Sequence, residues 1–236
     1  MTDQNASAGL GAPDTRSLLA LAHELVNRAK RAGAQEAEAV LSESRAIEAG
    51  AREGKLETVE RSETRDAGLR VLIGKRQAGV AFSDLSEAGM SLAVERAVAM
   101  AKAAPEDPYC GLVEPDKLAR KIPEIATYEA TDFTPEQLEA AALEMEAAAL
   151  SVKGVAMTSG CGASAGVGGS AFVTSTGFER ARLGSRCGLG TDVCLDWQKA
   201  RRAHARTAAA QDDDDDDDDE VAAAGSAAPF SRPLSI

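Results

Sequence analysis

GLRVLIGKRQAGVAFSDLSEAGMSLAVERAVAMAKAAPEDPYCG, residues 68–111, reads as strand, turn, strand, helix and a proline-marked exit. In its first strand Leu69, Val71 and Ile73 share one face and Arg70 and Leu72 the other. That is the two-residue alternation of a sheet with one partly polar side. Gly74, Lys75, Arg76 and Gln77 supply a turn, and Gly79, Val80, Ala81 and Phe82 return as a second strand. Asp84 with Glu87 three residues on predicts a helix start, and Leu85, Ala88, Leu92, Val94, Ala97, Val98 and Ala101 follow at helical spacing. A helix laid on a small antiparallel sheet is the unit against which the rest packs.

Upstream, residues 1–13 are rich in Gly, Ala, Ser and Asn and are expected to be disordered. Asp14 or Thr15 then caps a helix whose stripe is Leu18, Leu21, Ala22, Leu25, Ala29 and Ala32, with Lys30 and Arg31 in its last turn and Gly33 as its stop. Ala37, Ala39 and Leu41 alternate with Glu36, Glu38 and Val40, and residues 45–65 continue as charged alternation around a Gly54-Lys55 turn. These predict hairpins with a solvated face, making a meander of about four strands.

Downstream, Pro105, Pro108, Pro115 and Pro123 break residues 104–132 into loop, with a short helical turn near 116–121. Thr134, Pro135 and Gln137 form a capping box for a helix with Leu138, Ala141, Ala142, Met145, Ala148 and Ala149 inward, running to Val152 and ended by Gly154. Residues 155–193 are rich in Gly, Ser, Thr and Val, and predict a second small sheet whose turn is Gly166-Val167-Gly168-Gly169. The fold class is therefore α+β: small antiparallel sheets packed with three amphipathic helices. Its expected divisions are an α+β unit at 14–111, a linker at 112–134, a helix and second sheet at 135–193, and a disordered tail at 194–236.

Hydrophobic residues make up 44% of the 236 and aromatic ones 3%, so the core is built of Ala, Val, Leu and Ile. The formal charge of −12 argues against nucleic-acid binding, which needs clustered cations. The charge is uneven: residues 212–220 hold eight Asp and one Glu. The start carries neither a basic n-region nor an apolar h-region, and no apolar run is long enough to span a bilayer. Cys110, Cys161, Cys187 and Cys194 make no C-x-x-C pair and read as reduced thiols, so the chain is expected in the cytoplasm, with no membrane partner.

Five segments in order carry a resemblance: GKLE at 54–57, GLRVLIG at 68–74, AGVAFSDLS at 78–86, AVERAVAMAKAA at 93–104 and PEDPYCGL at 105–112. Together they resemble the amino-terminal domain of the TldD/PmbA (TldE) family of modulator proteins and metalloproteases. The likeness runs over residues 15–193 and favours the PmbA (TldE) branch. It implies a subunit that is itself non-catalytic and partners a zinc-bearing TldD-like subunit in peptide maturation and the proteolysis of unfolded or extended peptides. The family's older label, modulator of DNA gyrase, implies a free-standing regulator as the alternative, and a non-functional fragment is a third reading. In the family pattern a large carboxy-terminal domain would follow residue 193. The sequence after Cys194 resembles nothing in the family, so the chain is read as truncated, with a tail translated out of frame or rearranged.

Each candidate for chemistry meets a plainer reading. His23-Glu24 begins a zinc-protease-like helix, but zinc needs a second imidazole one turn on and a third ligand, and the other histidine, His204, lies in the tail. Two G-x-G-x-x-A runs, from Gly160 and from Gly166, precede β-patterned sequence and not a helix, so they read as sheet turns. Cys110 lacks a neighbouring base. Lys199, Arg201, Arg202 and Arg206 adjoin the acidic run, and Asp212–Asp219 lacks the spacing of a calcium loop. The sequence thus assigns no catalytic, cofactor-binding or metal-ligating residue to this chain, and no cofactor.

Overall fold

The structure, a computed structural model, describes residues 10–130 and 133–195. The expected tail, with Lys199, Arg201, Arg202, His204, Arg206 and residues 212–219, lies outside the described residues, as does most of the expected amino-terminal disorder. By its packing the chain divides into Met1–Cys194 and Leu195–Ile236. Only the first of these is described beyond its boundary.

Helix α1 spans Thr15–Arg31. Asp14 is its cap: Oδ1 accepts from the amides of Arg16 and Ser17, and Oδ2 from the Ser17 hydroxyl at 2.6 Å. These bonds, the Ser17 hydroxyl foremost, hold the Asp14 carboxyl below the usual range. Arg28, Lys30 and Arg31 complement the carbonyl end, and Gly33 turns the chain out at φ +105°. Leu18, Ala22, Leu25, Val26 and Ala29 are buried, while Ala32 is the exposed C-cap residue and not part of the stripe.

Strand β1 runs Glu36–Arg52, β2 Lys55–Ile73 and β3 Arg76–Phe82. The expected four strands are three longer ones, because β1 runs through residues 42–45 without a turn. Glu53 and Gly54 both take positive φ, 55° and 71°, in the β1–β2 turn. β1 and β2 pair antiparallel from Glu36↔Leu72 to Arg52↔Lys55. One irregularity pairs Gly50 with Thr58 and Ala51 with Leu56, leaving Glu57 unmatched as a bulge.

Helix α2 spans Glu87–Ala103 and is capped by Ser86, whose hydroxyl accepts from the Gly89 amide at 3.1 Å. Asp84, the expected cap, sits two residues earlier and accepts from the Ser86 amide. The buried face is Met90, Ala93, Val94, Ala97, Val98 and Ala101; Ala88 and Leu92 point outward. The expected stripe is out of phase at its start because the face that packs is the one carrying Met90, Ala93 and Val94, which leaves Ala88 and Leu92 on the solvent side.

Pro115–Lys117 forms the short 3-10 turn, and α3 spans Pro135–Ser151 with the capping box as expected. Strands β4, Val155–Thr174, and β5, Glu179–Leu195, follow. They do not make a second sheet: β4 pairs antiparallel with β1 from Glu38↔Thr174 to Ala51↔Cys161, giving one five-stranded sheet in the order β3-β2-β1-β4-β5. The predicted Gly166–Gly169 turn is straight strand. Gly169 leaves room for the incoming chain, since a Cβ there would lie 2.9 Å from the Pro13 Cβ, and one at Gly166 would lie 3.3 Å from the Arg45 carbonyl. The true turn is at residues 175–177, with Gly177 at φ +97°.

All three helices cover one face of the sheet. Ala37, Ala39 and Leu41 of β1, with Ala67, Leu69 and Val71 of β2, pack against α1 and α2. Ile47, Ala49 and Ala51, with Ala163, Ala165 and Val167 of β4, pack against Leu138 and Ala142 of α3. Burying a leucine such as Leu18 or Leu41 completely stabilises the fold by about 1.5–3 kcal/mol relative to leaving it exposed. The fold is α+β, and the opposite face carries no helix among the described residues.

Candidate functional site

The helix-free face is built of the alternate residues of the same strands. At one end Arg70 ties three strands together, donating from Nε to Glu38 Oε1 at 2.7 Å and from Nη1 to Gln77 Oε1 at 2.8 Å. The Glu38 carboxylate raises the Arg70 pKa. Towards the middle the side chains become short: Ser42, Ser44, Ala46, Ser170 and Thr64, with Ser44 and Thr64 sharing a 2.8 Å hydrogen bond.

At the other end of the sheet lies a groove lined by residues of β1, β2, β4 and β5, a cavity of about 610 Å³. Gly162, Gly188 and Gly190 make its floor, and Glu48, Glu57 and Asp192 stand at its walls. A Cβ at Gly190 would meet nothing within 4 Å, so the floor is bare main chain. Arg52 holds two of the lining residues, donating to the Ser159 carbonyl at 2.6 Å and lying 3.5 Å from Glu57. Below the floor Cys161 Sγ donates to Thr191 Oγ1 at 2.9 Å, and Thr191 in turn donates to the Gly160 carbonyl. The groove offers carboxylates, which accept hydrogen bonds, and main-chain groups, which donate and accept them. No histidine lines it, so its thiol has no imidazole base.

The sequence candidates are scattered. His23 projects from α1 and pairs through Nε2 with Glu179 of β5 at 2.7 Å. Glu24 accepts from Arg28 Nε at 2.7 Å and from Arg31 Nη2 at 3.1 Å, and the Arg28 bond chiefly holds its carboxyl low. Arg28 also grips Glu87 of α2, so its guanidinium is held charged first by Glu87 and then by Glu24. Cys110 is buried in the loop after α2, with Lys75 Nζ 3.4 Å from its carbonyl. Gly160, Gly162, Gly166 and Gly168 all lie inside β4, where no helix N-terminus faces them. Among the described residues no three of His, Cys, Asp and Glu converge to hold a metal ion. The described residues therefore do not fit a zinc centre, which takes three or four such ligands on one ion.

One acid was not foreseen. Glu146 of α3 is 2% exposed and accepts from the amides of Glu53 and Gly54 at 2.9 and 2.8 Å and from the Thr158 hydroxyl at 2.7 Å. Thr158, then the two turn amides, hold its carboxyl below the usual range. The signal was present in the spacing: Leu138, Ala142 and Glu146 recur every four residues on one helix face, so the acid continues the buried stripe.

The model of PmbA/TldA metallopeptidase domain 1 matches residues 37–101, which run from the start of β1 through α2. The chain is 30% identical over 169 residues to the metalloprotease PmbA homolog of Haemophilus influenzae, covering 71% of this chain and 37% of that one.

The chain carries a PmbA/TldE-like amino-terminal domain.

It is also 25% identical over 161 residues to the metalloprotease PmbA of Escherichia coli O157:H7, covering 68% of this chain and 36% of that protein. It thus spans little more than a third of the length of these PmbA relatives. Two solved structures share the fold: a protein of Bacteroides thetaiotaomicron described as a modulator of DNA gyrase, and TldE of Thermococcus kodakarensis. The first has a TM-score of 0.67 at 16% identity, covering 75% of this chain and 40% of that one. The second has a TM-score of 0.59 at 17% identity, covering 80% and 46%. No helix among the described residues is long and apolar enough to cross a membrane.

Proposed function

We propose that this PmbA/TldE-like chain works as a non-catalytic subunit beside a TldD-like, zinc-bearing partner, giving wall and contact surface to a cavity where extended peptides are processed. One observation carries the reading: the domain has the family's fold, yet the one histidine among its described residues is tied to Glu179, far in sequence from any second imidazole. The glycine-floored groove supports a peptide-contacting role, since bare main chain and carboxylates suit an extended, neutral or basic segment.

The test is co-expression of the full chain with a TldD-like subunit. A stoichiometric complex should form, and chelator-sensitive hydrolysis of an unfolded peptide should need both proteins. Chelator-sensitive hydrolysis by the purified chain alone would overturn the proposal. A second reading, a free-standing modulator of DNA gyrase, is favoured by the description of the Bacteroides structure. It predicts a change in gyrase supercoiling when the chain is added without any partner.

A further inference from the structure

Loop residues 119–128 and the first residues of β5 bound a second cavity, of about 910 Å³. That volume lies within the roughly 300–1,000 Å³ of small-ligand sites. Its apolar wall is Ile122, Pro123, Ile125, Phe178 and Leu183. Ile125 is 70% exposed, and Ile122 and Tyr128 beside it are exposed too, so the wall presents uncovered apolar surface.

Two guanidinia share the lining, Arg180 half-buried and Arg182 exposed. Neither forms a hydrogen bond or ion pair with any described residue. Glu179, next to them, is engaged by His23 at 2.7 Å, and Glu124 is the one carboxylate among the described lining residues. Two cations against one anion give the lining a net positive charge. The main chain adds donors. β5 has β4 on one side and no strand on the other among the described residues. On that open side the Ser185 amide donates to the Thr127 carbonyl at 2.9 Å, and the Leu183 carbonyl accepts from Thr127 Oγ1 at 2.7 Å. Main-chain groups of alternate strand residues point the same way, so the Ala181 and Leu183 amides face outward as well, where both residues line the cavity. No described residue accepts from either amide. The edge thus seats an extended stretch of its own chain at Thr127, and beside that seat two amides, two guanidinia and an apolar wall converge.

We infer that this cavity binds the carboxy-terminal end of an extended peptide whose last residue is apolar. The Arg180 and Arg182 guanidinia donate to the terminal carboxylate, and the Ala181 and Leu183 amides to the peptide main chain. The last side chain lies against Ile122, Ile125 and Phe178. A peptide fits better than a free amphipathic acid, because the outward amides match a main chain running along β5 as Thr127 does. The inference deepens the peptide-contacting role proposed above and rests on it. That role is tested by complex formation and hydrolysis, whereas this site is read by binding to the chain alone, so the two can fail separately.

The test is fluorescence anisotropy of the full chain against a labelled hexapeptide that ends in leucine with a free carboxylate. Saturable binding is expected, and the same peptide as its carboxamide should bind at least about tenfold more weakly. Serine in place of the terminal leucine should also weaken binding at least about tenfold. Arg180→Gln and Arg182→Gln should each weaken the acid peptide and leave the carboxamide unchanged, a selectivity that general loss of structure would not produce. Ile125→Ser should shrink the preference for leucine over serine. Absence of binding, equal affinity for acid and carboxamide, or a full acid preference in both arginine variants would overturn the inference. So would decanoate binding as tightly as the peptide, which would assign the cavity to free amphipathic acids.

Discussion

Val40 and Leu41 are neighbours in β1 that point to opposite faces: Leu41 is fully buried under α1, and Val40 is 44% exposed on the helix-free face. Leu41→Ala removes a side chain from a close-packed cluster, and such truncations cost about 2.7–5 kcal/mol as transfer and cavity terms combine. For a folded unit of this size that lowers Tm by roughly 2–4 °C per kcal/mol, or about 5–20 °C in all. Val40→Ala loses two methyl groups that are already half in water, a cost below about 1 kcal/mol. Urea denaturation followed by far-UV circular dichroism, with the slope unchanged, measures both. Equal losses would refute the reasoning. Either the helix-free face would then be covered, or β1 would be slipped by one residue, which moves every side chain to the other face.

Gly169→Val should destabilise by about 1–3 kcal/mol, because its Cβ would press on Pro13 and Thr15; faster amide exchange at residues 10–16 would locate the damage. Thr134→Ala breaks the capping box and should cost about 1 kcal/mol, read as a lower urea midpoint. Glu146 has a depressed folded pKa, so its contribution is present above the ordinary carboxylate range and is lost as pH falls through the folded value. Glu146→Gln should therefore lower stability at neutral pH and flatten the acid limb of the stability curve. An unchanged acid limb would assign that limb to other carboxylates.

Much of the domain was legible because its signals are local. Asp14 and the Thr134–Gln137 box mark helix starts with side chains that bond their own backbone, Gly33 marks an end by its positive φ, and the alternation of residues 69–73 fixes a face directly. What misled was glycine. In Gly166–Gly169 it reads as turn chemistry, yet there it serves close approach by Pro13 and by the Arg45 backbone, contacts more than a hundred residues away in sequence. The same error split one sheet into two, since pairing between β1 and β4 is set by the shared Ala and Leu face and not by any nearby turn. Glu146 was hidden for a related reason: a buried acid is stable only with its donors, and these come from a hairpin tip more than ninety residues upstream. At the candidate site the sequence had no means of seeing the groove, whose glycine lining leaves no side-chain signal to read.

The clasp between Glu146 and the β1–β2 tip bears on how load travels through the molecule. The outlying run of β2 is fastened at both extremities, by Asp66 to Ser83 and by the tip amides to α3, and so behaves as a taut chord and not as a loose flap. A tug on that chord is delivered to α3 and, through Thr158, to β4, whose next residues border the glycine floor.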